Sequence, residues 1–500
     1  MPIIGAYCVN VFADRCTDCG LCVEVCPHDV YAKDKNGRVK ILNDMACVGC
    51  RICMEFCPTD AVHVRPAEPE YITRSLWTLR AVEEIHYKAQ TGDYMLRGFG
   101  TTGPTPHFDS LVVVPSQLAS PPPIDKYREE CNVGVTIGEG RVEEPMRLKI
   151  PVMLAAMSFG AVSLEAKKAM AIAAAKMGTA TNTGEGGAIP GEYHLAHGYE
   201  DLKSMGLGKQ KYKPGGYLIV QWSTGRWGVN LDYLRDADAI EIKIGQGAKP
   251  GMGGHLLGQK VIEAIARVRG LPVGTDALSP PRFYDAFGSD DLKKQVELLR
   301  DVTDYRVPIT LKLGPSRPYE DVRMAVEMGV DAVAIDGMVG GTGCSPELVT
   351  QGVGIPTIAC IPPAAKALED AGVSGEVKLV AMGGIRDGLD AMKALALGAD
   401  AVAVASAAEI ALGCRACMAC HKGRCPYGIA TNDPELRKRL NPEIGGQRLA
   451  NFLRAMTEEV KMLTTLAGHN DISQLSREDL RALDVNAATL TGVKLAGLGP

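Results

Sequence analysis

The chain has 500 residues, 46% of them apolar and 23% charged, with a formal net charge of −5. That composition fits a globular protein of roughly two to four domains and excludes a disordered chain. No long basic or acidic run is present, which argues against nucleic acid or an anionic membrane surface as a partner. No uncharged apolar stretch reaches the roughly 18 residues of a membrane-spanning helix. The start, MPIIGAYCVNVFADRC, lacks a basic region and a sustained apolar core, so no signal peptide is expected. Of 16 cysteines, 12 fall in three tight groups. Without an export signal, such spacing predicts metal ligation rather than disulfides, and a cytoplasmic location.

The first two groups read Cys16-x2-Cys19-x2-Cys22-x3-Cys26-Pro27 and Cys47-x2-Cys50-x2-Cys53-x3-Cys57-Pro58, one pattern repeated 31 residues on. This is the spacing of a bacterial-type ferredoxin with two [4Fe-4S] clusters, in which the fourth thiolate of each run serves the other cluster. One cluster is therefore expected on Cys16, Cys19, Cys22 and Cys57, and the second on Cys47, Cys50, Cys53 and Cys26. Thiolates are soft ligands for iron, and tight loops aim backbone N–H groups at the sulfides. A pair of zinc knuckles is the alternative, but zinc does not need this pattern twice. Cys8 stands outside it as a free thiol. An α+β ferredoxin-like domain is expected over 1–66. A connecting segment over 67–150 carries GFGTTGPTP and SPPP as loops.

From Pro151, short apolar runs alternate with segments of helical period. PVMLAAM reads as a buried parallel strand, and SLEAKKAMAIAAAKMG as a helix stopped by Gly178. Further strand-like runs are TATN (179–182), YLIVQ (217–221), AIEIKIG (239–245), ITLKLG (309–314), AVAIDG (332–337), VKLVAMGG (377–384) and AVAVAS (401–406). Some seven or eight such units predict a (β/α)8 TIM barrel over 151–430, with a doubly wound open sheet as the alternative. The third cysteine group closes this domain, and residues 431–500 are expected to form a helical extension.

In a barrel, chemistry sits where strands end. Gly340-Gly341-Thr342-Gly343 and Gly383-Gly384-Ile385-Arg386 follow successive late strands, and Ser406 closes the last. Such glycines make a phosphate cradle. With iron–sulfur clusters present, the phosphorylated cofactor expected is FMN, which accepts an electron pair and releases electrons singly. Lys312, inside ITLKLG, suits the flavin N1–O2 edge; an ion pair with a neighbouring strand carboxylate is the alternative. In EIKIGQGAKPGMGGH (241–255), Lys243 at a strand end suits a substrate carboxylate, and the glycine-rich loop a second one. For Lys249 the alternative is a solvated surface loop. Glu185, in TGEGG, suits proton or ammonium handling.

Together MSFGAVSLEA (157–166), NTGEGG (182–187), STGRWGV (223–229), EIKIGQGAKPGMGG (241–254), SPP (279–281), GGTG (340–343), GGIRDG (383–388) and CPYGIATNDPELRKR (425–439) resemble the FMN-binding synthase domain of glutamate synthases. The likeness spans roughly 150–465, and the attached ferredoxin domain resembles the short archaeal and bacterial forms. The resemblance implies reductive amination of 2-oxoglutarate with ammonia, through 2-iminoglutarate, to L-glutamate. It places Ala156, Met157 and Ser158 along the flavin, and Asn182 and Gln221 at the ring edge. Lys312 falls at N1–O2, and Gly340, Gly341, Gly383, Gly384, Arg386 and Ser406 around the phosphate. Lys243, Gln246 and Lys249 are implied for the oxoacid carboxylates, since two buried charges need paired cations. Ser158, Glu185 and Lys243 are implied at the reacting carbon.

Departures from the long enzymes matter. The chain begins without the N-terminal cysteine of a glutaminase domain, so ammonia is expected from solution or a separate subunit. No GxGxxG after a strand is present for NADPH, so electrons are expected through the ferredoxin domain from ferredoxin or another subunit. An oligomer is expected. Cys344, beside GGTG, reads as packing rather than as a nucleophile. Two other functions remain open: the same chemistry with methylamine, and a non-catalytic FMN and iron–sulfur electron carrier. In the third group, Cys414, Cys420 and Cys425 have the C-x5-C-x4-C spacing that the family uses for a [3Fe-4S] cluster. Cys417 is extra, and a fourth thiolate in reach would complete a [4Fe-4S] cluster.

Overall fold

The computed structural model describes residues 7–67, 78–118, 122, 129–198 and 215–498. The MPIIG start and all of SPPP except Pro122 lie outside the described residues. Eight parallel strands form the central sheet: β1 (Val152–Leu154), β2 (Ala180–Asn182), β3 (Tyr217–Ser223), β4 (Ala239–Lys243), β5 (Ile309–Leu313), β6 (Ala332–Asp336), β7 (Lys378–Met382) and β8 (Ala401–Val404). Their order is β2-β3-β4-β5-β6-β7-β8-β1. The two ends of that order meet. The Thr179 hydroxyl donates to the Val152 carbonyl at 2.7 Å, and the Lys149 N–H donates to the Gly178 carbonyl at 2.9 Å. The sheet is thus a near-closed barrel, as the alternation of short apolar and helical segments predicts, and not an open doubly wound sheet. Its strands are apolar along most of their length because helices cover one face and the barrel core the other.

The helix after β1, Leu164–Met177, shows how the sequence sets such an element. The Ser163 hydroxyl accepts from the Ala166 N–H, an alanine-rich run without β-branched stretches follows, and left-handed Gly178 stops it. The 25-residue helix Pro442–Leu466 packs along it. At the N-terminal end of the barrel, the hairpin Val135–Ile137 with Met146–Leu148 inserts Ile137 and Met146, each 1% exposed, among Met153, Ile219 and Val380.

Residues read from sequence as a connection contribute more than loops. Leu79–Thr91 is a helix, Leu96–Phe99 pairs with Thr342–Pro346, and Leu111–Val113 pairs with Leu480–Ala482. Both strand pairings tie this segment onto elements hundreds of residues later. The last of them also puts a strand within the region read as a helical extension.

In the N-terminal unit, Tyr7–Val11 pairs antiparallel with Val62–Pro66, and Tyr31–Lys33 with Val39–Ile41. Short helices Leu21–Val25 and Ile52–Glu55 complete it, around a core of Val9, Val25, Val30, Tyr31, Ile52 and Val62. It docks on residues 415–439. The Tyr427 hydroxyl donates to the Cys50 carbonyl at 2.9 Å, and the Arg439 guanidinium to the Val25 carbonyl at 3.0 Å. Arg424 pairs with Asp29 at 3.2 Å. Among the described residues, no helix is long and apolar enough to cross a membrane.

Candidate active site and cysteine centres

A cleft opens at the C-terminal ends of the barrel strands. Its walls include Ala156, Met157 and Ser158 after β1, Glu185 after β2, Gln221 on β3, Lys243 ending β4, Lys312 on β5 and Ser406 after β8. Gln246 and Lys249 come from the loop after β4, and Gly341, Thr342 and Gly343 from the loop after β6.

Register explains the layering. Lys243 stands beside Lys312 on the neighbouring strand, and Glu241, two residues earlier, stands beside Gln221 and Thr310. Alternate residues of a strand share a face, so a layer of lysines lies above a layer holding Glu241. Two positive charges at the strand ends need partners. Lys243 Nζ lies 2.8 Å from Glu185 Oε2, and Lys312 Nζ lies 3.2 Å from Asp336 Oδ2. Burial pulls the Lys312 ammonium down, but the carboxylates of Asp336 and Glu241 outweigh it and raise its pKa. The ion pair and the cleft position therefore coexist at Lys312.

Burial pushes Glu185 up, yet the Lys243 ammonium beside it is the main influence that reverses this and holds it at about 2. Glu185 is thus a carboxylate at every physiological pH. Its Oε1 is buried with no hydrogen-bond partner, as is Gln246 Nε2 in the same wall. Two unsatisfied polar atoms on residues that line one cleft fit a polar ligand, because a buried polar atom without a partner is costly. Lys249 is 1% exposed, which overturns the surface-loop alternative. It donates to Thr342 Oγ1 at 3.2 Å and to the Cys344 carbonyl. Burial first, then the Lys243 charge, bring its pKa down to about 7. Cys344 is buried, its thiol pushed up by burial, in keeping with packing.

Backbone approach shapes the same walls. Gly184 has φ +68°, and a Cβ there would stand 2.5 Å from the Ser158 nitrogen. A Cβ on Gly341 would overlap the Ser406 hydroxyl. Only glycine lets these loops close on each other, and Gly341 and Ser406 meet in the lining of the cleft.

Several expected flavin-side residues lie elsewhere. Asn182 points into the barrel, where its amide donates to Glu241 at 3.0 Å and its Oδ1 accepts from the Gly184 N–H. Gly340 faces Asp336, Gly383 lies against the Gly337 backbone, and the Gly384 carbonyl contacts His107 Nε2 at 2.8 Å. Arg386 is committed to Asp390 at 2.8 Å and to Asp109 at 3.0 Å. None of these five lines the cleft.

Residues that the sequence did not flag hold the site in place. Glu241 Oε1 receives both the Asn182 amide and the Gln221 amide, the latter at 2.7 Å. Buried Arg269 donates to the carbonyls of Phe159 and Glu185, each at 2.9 Å. Buried Lys167 pairs with Glu192 at 2.7 Å and donates to the Asn182 carbonyl at 2.6 Å. A charged residue inside an apolar strand or helix, as at Glu241 and Lys167, is the signal that marks two of them.

The cysteines gather as the spacing predicts for the first set: Cys16, Cys19, Cys22 and Cys57 line one cavity. Cys47, Cys50 and Cys53 each lie within electrostatic reach of Cys26. Cys414, Cys417, Cys420 and Cys425 line a third cavity, which shares Glu409, Cys420 and Ala430 with the cleft. Among the described residues no three cysteine sulfurs lie within 4.8 Å of one another. Burial pushes the thiols of Cys22 and Cys47 up to about 11 and Cys414 up to about 12.

Comparison with known proteins agrees with both units. The conserved region of glutamate synthase matches residues 106–470, and a 4Fe-4S dicluster domain matches 15–62. A glutamate synthase large subunit-like protein of Rhizobium meliloti is 43% identical over 83% of this chain and 93% of its own length. The archaeal-type glutamate synthase [NADPH] of Dehalococcoides mccartyi is 38% identical over 98% of both chains. The archaeal glutamate synthase [NADPH] of Archaeoglobus fulgidus is 36% identical over 97% of this chain and 96% of its own. The chain, a near-closed parallel barrel carrying an N-terminal dicluster domain, belongs to the glutamate synthase family.

Proposed function

We propose that this protein forms L-glutamate by reductive amination of 2-oxoglutarate. Ammonia adds to the 2-oxo carbon and water leaves, giving 2-iminoglutarate; a hydride to carbon and a proton to nitrogen complete the product. FMN bound in the cleft would supply that hydride, its electrons delivered singly through iron–sulfur clusters on the three cysteine groups. The observation that carries this reading is the meeting of Lys243, Lys249 and the unpartnered Glu185 Oε1 in one cleft. A pure electron carrier needs no such carboxylate site.

Ala156–Ser158 form the wall against which the flavin would lie, and the Gly341 backbone with the Ser406 hydroxyl would hold its phosphate. Lys243 and Lys249 bind the two carboxylates of the oxoacid, with Gln246 Nε2 as a further donor. Glu185 stays ionised and accepts a hydrogen bond from ammonia beside the 2-oxo carbon; it is too weak a base to act at neutral pH. Lys249, with a pKa of about 7, is suited to move a proton at the nitrogen. Ammonia arrives free or from a separate glutaminase subunit. Reduced ferredoxin, or a separate NADPH-oxidising subunit, feeds the N-terminal domain.

The test is anaerobic. Enzyme loaded with flavin and clusters receives ammonium, 2-oxoglutarate and dithionite-reduced ferredoxin, and glutamate is measured. Formation of glutamate is the expected result; none, with the cofactors verified, overturns the proposal.

A further inference from the structure

Cys417 is the residue that C-x5-C-x4-C leaves out, and the structure gives it a counterpart. Cys414-x2-Cys417-x2-Cys420 repeats the spacing of Cys16-Cys19-Cys22 and Cys47-Cys50-Cys53, and Pro426 follows Cys425 as Pro27 and Pro58 follow Cys26 and Cys57. The backbone repeats as well. Cys19 sits between left-handed Asp18 (φ 54°) and Gly20 (φ 88°), and Cys50 between Gly49 (φ 68°) and Arg51 (φ 61°). Cys417 sits between Ala416 (φ 51°) and Met418 (φ 60°). The left-handed conformation costs an ordinary residue on the order of 1–2 kcal/mol. The third loop bears that cost on both sides of Cys417 without a glycine to relieve it. Such strain marks a site whose geometry is imposed by function.

Sulfur contacts follow the same pattern. The Asp18 N–H donates to Cys16 Sγ at 3.5 Å, and the Ala416 N–H to Cys414 Sγ at 3.3 Å. Cys417 lines one cavity with Cys414, Cys420 and Cys425, as Cys19 does with Cys16, Cys22 and Cys57. On its other side Cys417 packs, with Tyr427, on the core of the N-terminal domain that contains Cys50.

We propose that Cys417 is the fourth ligand of the third centre, so that four thiolates hold a [4Fe-4S] cluster in place of a three-iron one. This rests on the reading that residues 414–425 hold a cluster. It also puts the added ligand on the side of that centre nearest the second ferredoxin run.

The test uses the full chain, reconstituted without oxygen, and compares it with Cys417→Ala and Cys417→Ser. Iron counting is expected to give about 12 atoms per wild-type chain and about 11 in the variants. Oxidised wild type, after treatment with ferrous iron and thiol, should show no EPR signal from a three-iron centre. The variants should show one, with both ferredoxin clusters and bound flavin retained as folding controls. A three-iron signal that persists in treated wild type and is unchanged by Cys417→Ala overturns the assignment of Cys417 alone. About 8 irons in wild type would remove the third cluster itself, and with it the broader reading.

Discussion

Lys243 Nζ lies 2.8 Å from Glu185 Oε2, while Glu185 Oε1 is buried with no partner. The pair is half-satisfied: the lysine keeps the carboxylate ionised, and the second oxygen remains for a ligand. Glu185 lies in the loop after β2 and Lys243 ends β4, so the pair exists only once the barrel forms.

Lys243→Ala separates binding from electron delivery. Without its cation, Glu185 is a buried carboxylate whose pKa rises, the sign that burial alone dictates. We expect kcat/KM for 2-oxoglutarate to fall about 100-fold or more, with stability down by about 2 kcal/mol because water in the cleft screens part of the loss. Bound flavin should still be reduced by dithionite-reduced ferredoxin. Unchanged glutamate formation would remove Lys243 from the substrate site.

Lys249 carries a pH dependence. Its pKa is lowered to about 7, so it is charged below that value and neutral above. A dicarboxylate binds the charged form, so KM for 2-oxoglutarate should climb as pH rises past about 7. Lys249→Met should abolish that climb and raise KM throughout. A KM that is flat from pH 6 to about 9 in the wild type contradicts this role.

Glu241→Ala orphans two amides, those of Asn182 and Gln221, both donated to Glu241 Oε1. Leaving buried donors unpaired costs about 1–3 kcal/mol each. Denaturant unfolding should show a loss of about 2–4 kcal/mol for the alanine variant and a smaller one for Glu241→Gln. Equal stability of Glu241→Ala and wild type would mean that water replaces the carboxylate.

Gly184→Ala tests the close approach of two strand-end loops. The new Cβ meets the Ser158 nitrogen at 2.5 Å in a backbone of φ +68°. Strain of about 1–3 kcal/mol is expected, and Met157–Ser158 must shift. Flavin should be lost more readily on dilution or gel filtration, while the two N-terminal clusters keep their absorbance. Undiminished flavin retention would show that the β1 loop is not the flavin wall.

The sequence by itself determined what depends on local spacing. Cysteine runs with x2 and x3 gaps define cluster loops, because a ligand loop closes within about 12 residues whatever surrounds it. Most of the eight strands were legible because strands buried on both faces read as largely apolar runs, and Lys243, Lys249 and Glu185 were legible as charges at strand ends and glycine loops. The tertiary structure alone decided partners far apart in the chain. Arg386 looks in sequence like a phosphate ligand, yet Asp109, 277 residues earlier, takes its guanidinium. Arg269 reaches the Phe159 carbonyl across 110 residues, and only the contacts of Lys249 with the Thr342–Pro346 strand decide between a carboxylate ligand and its alternative, a solvated loop. Burial and pairing are sums over such long-range contacts, and no local pattern encodes them. Cys417 stands on both sides of this division. Its spacing is written in the sequence, but only the folded chain puts it in one cavity with three other thiols.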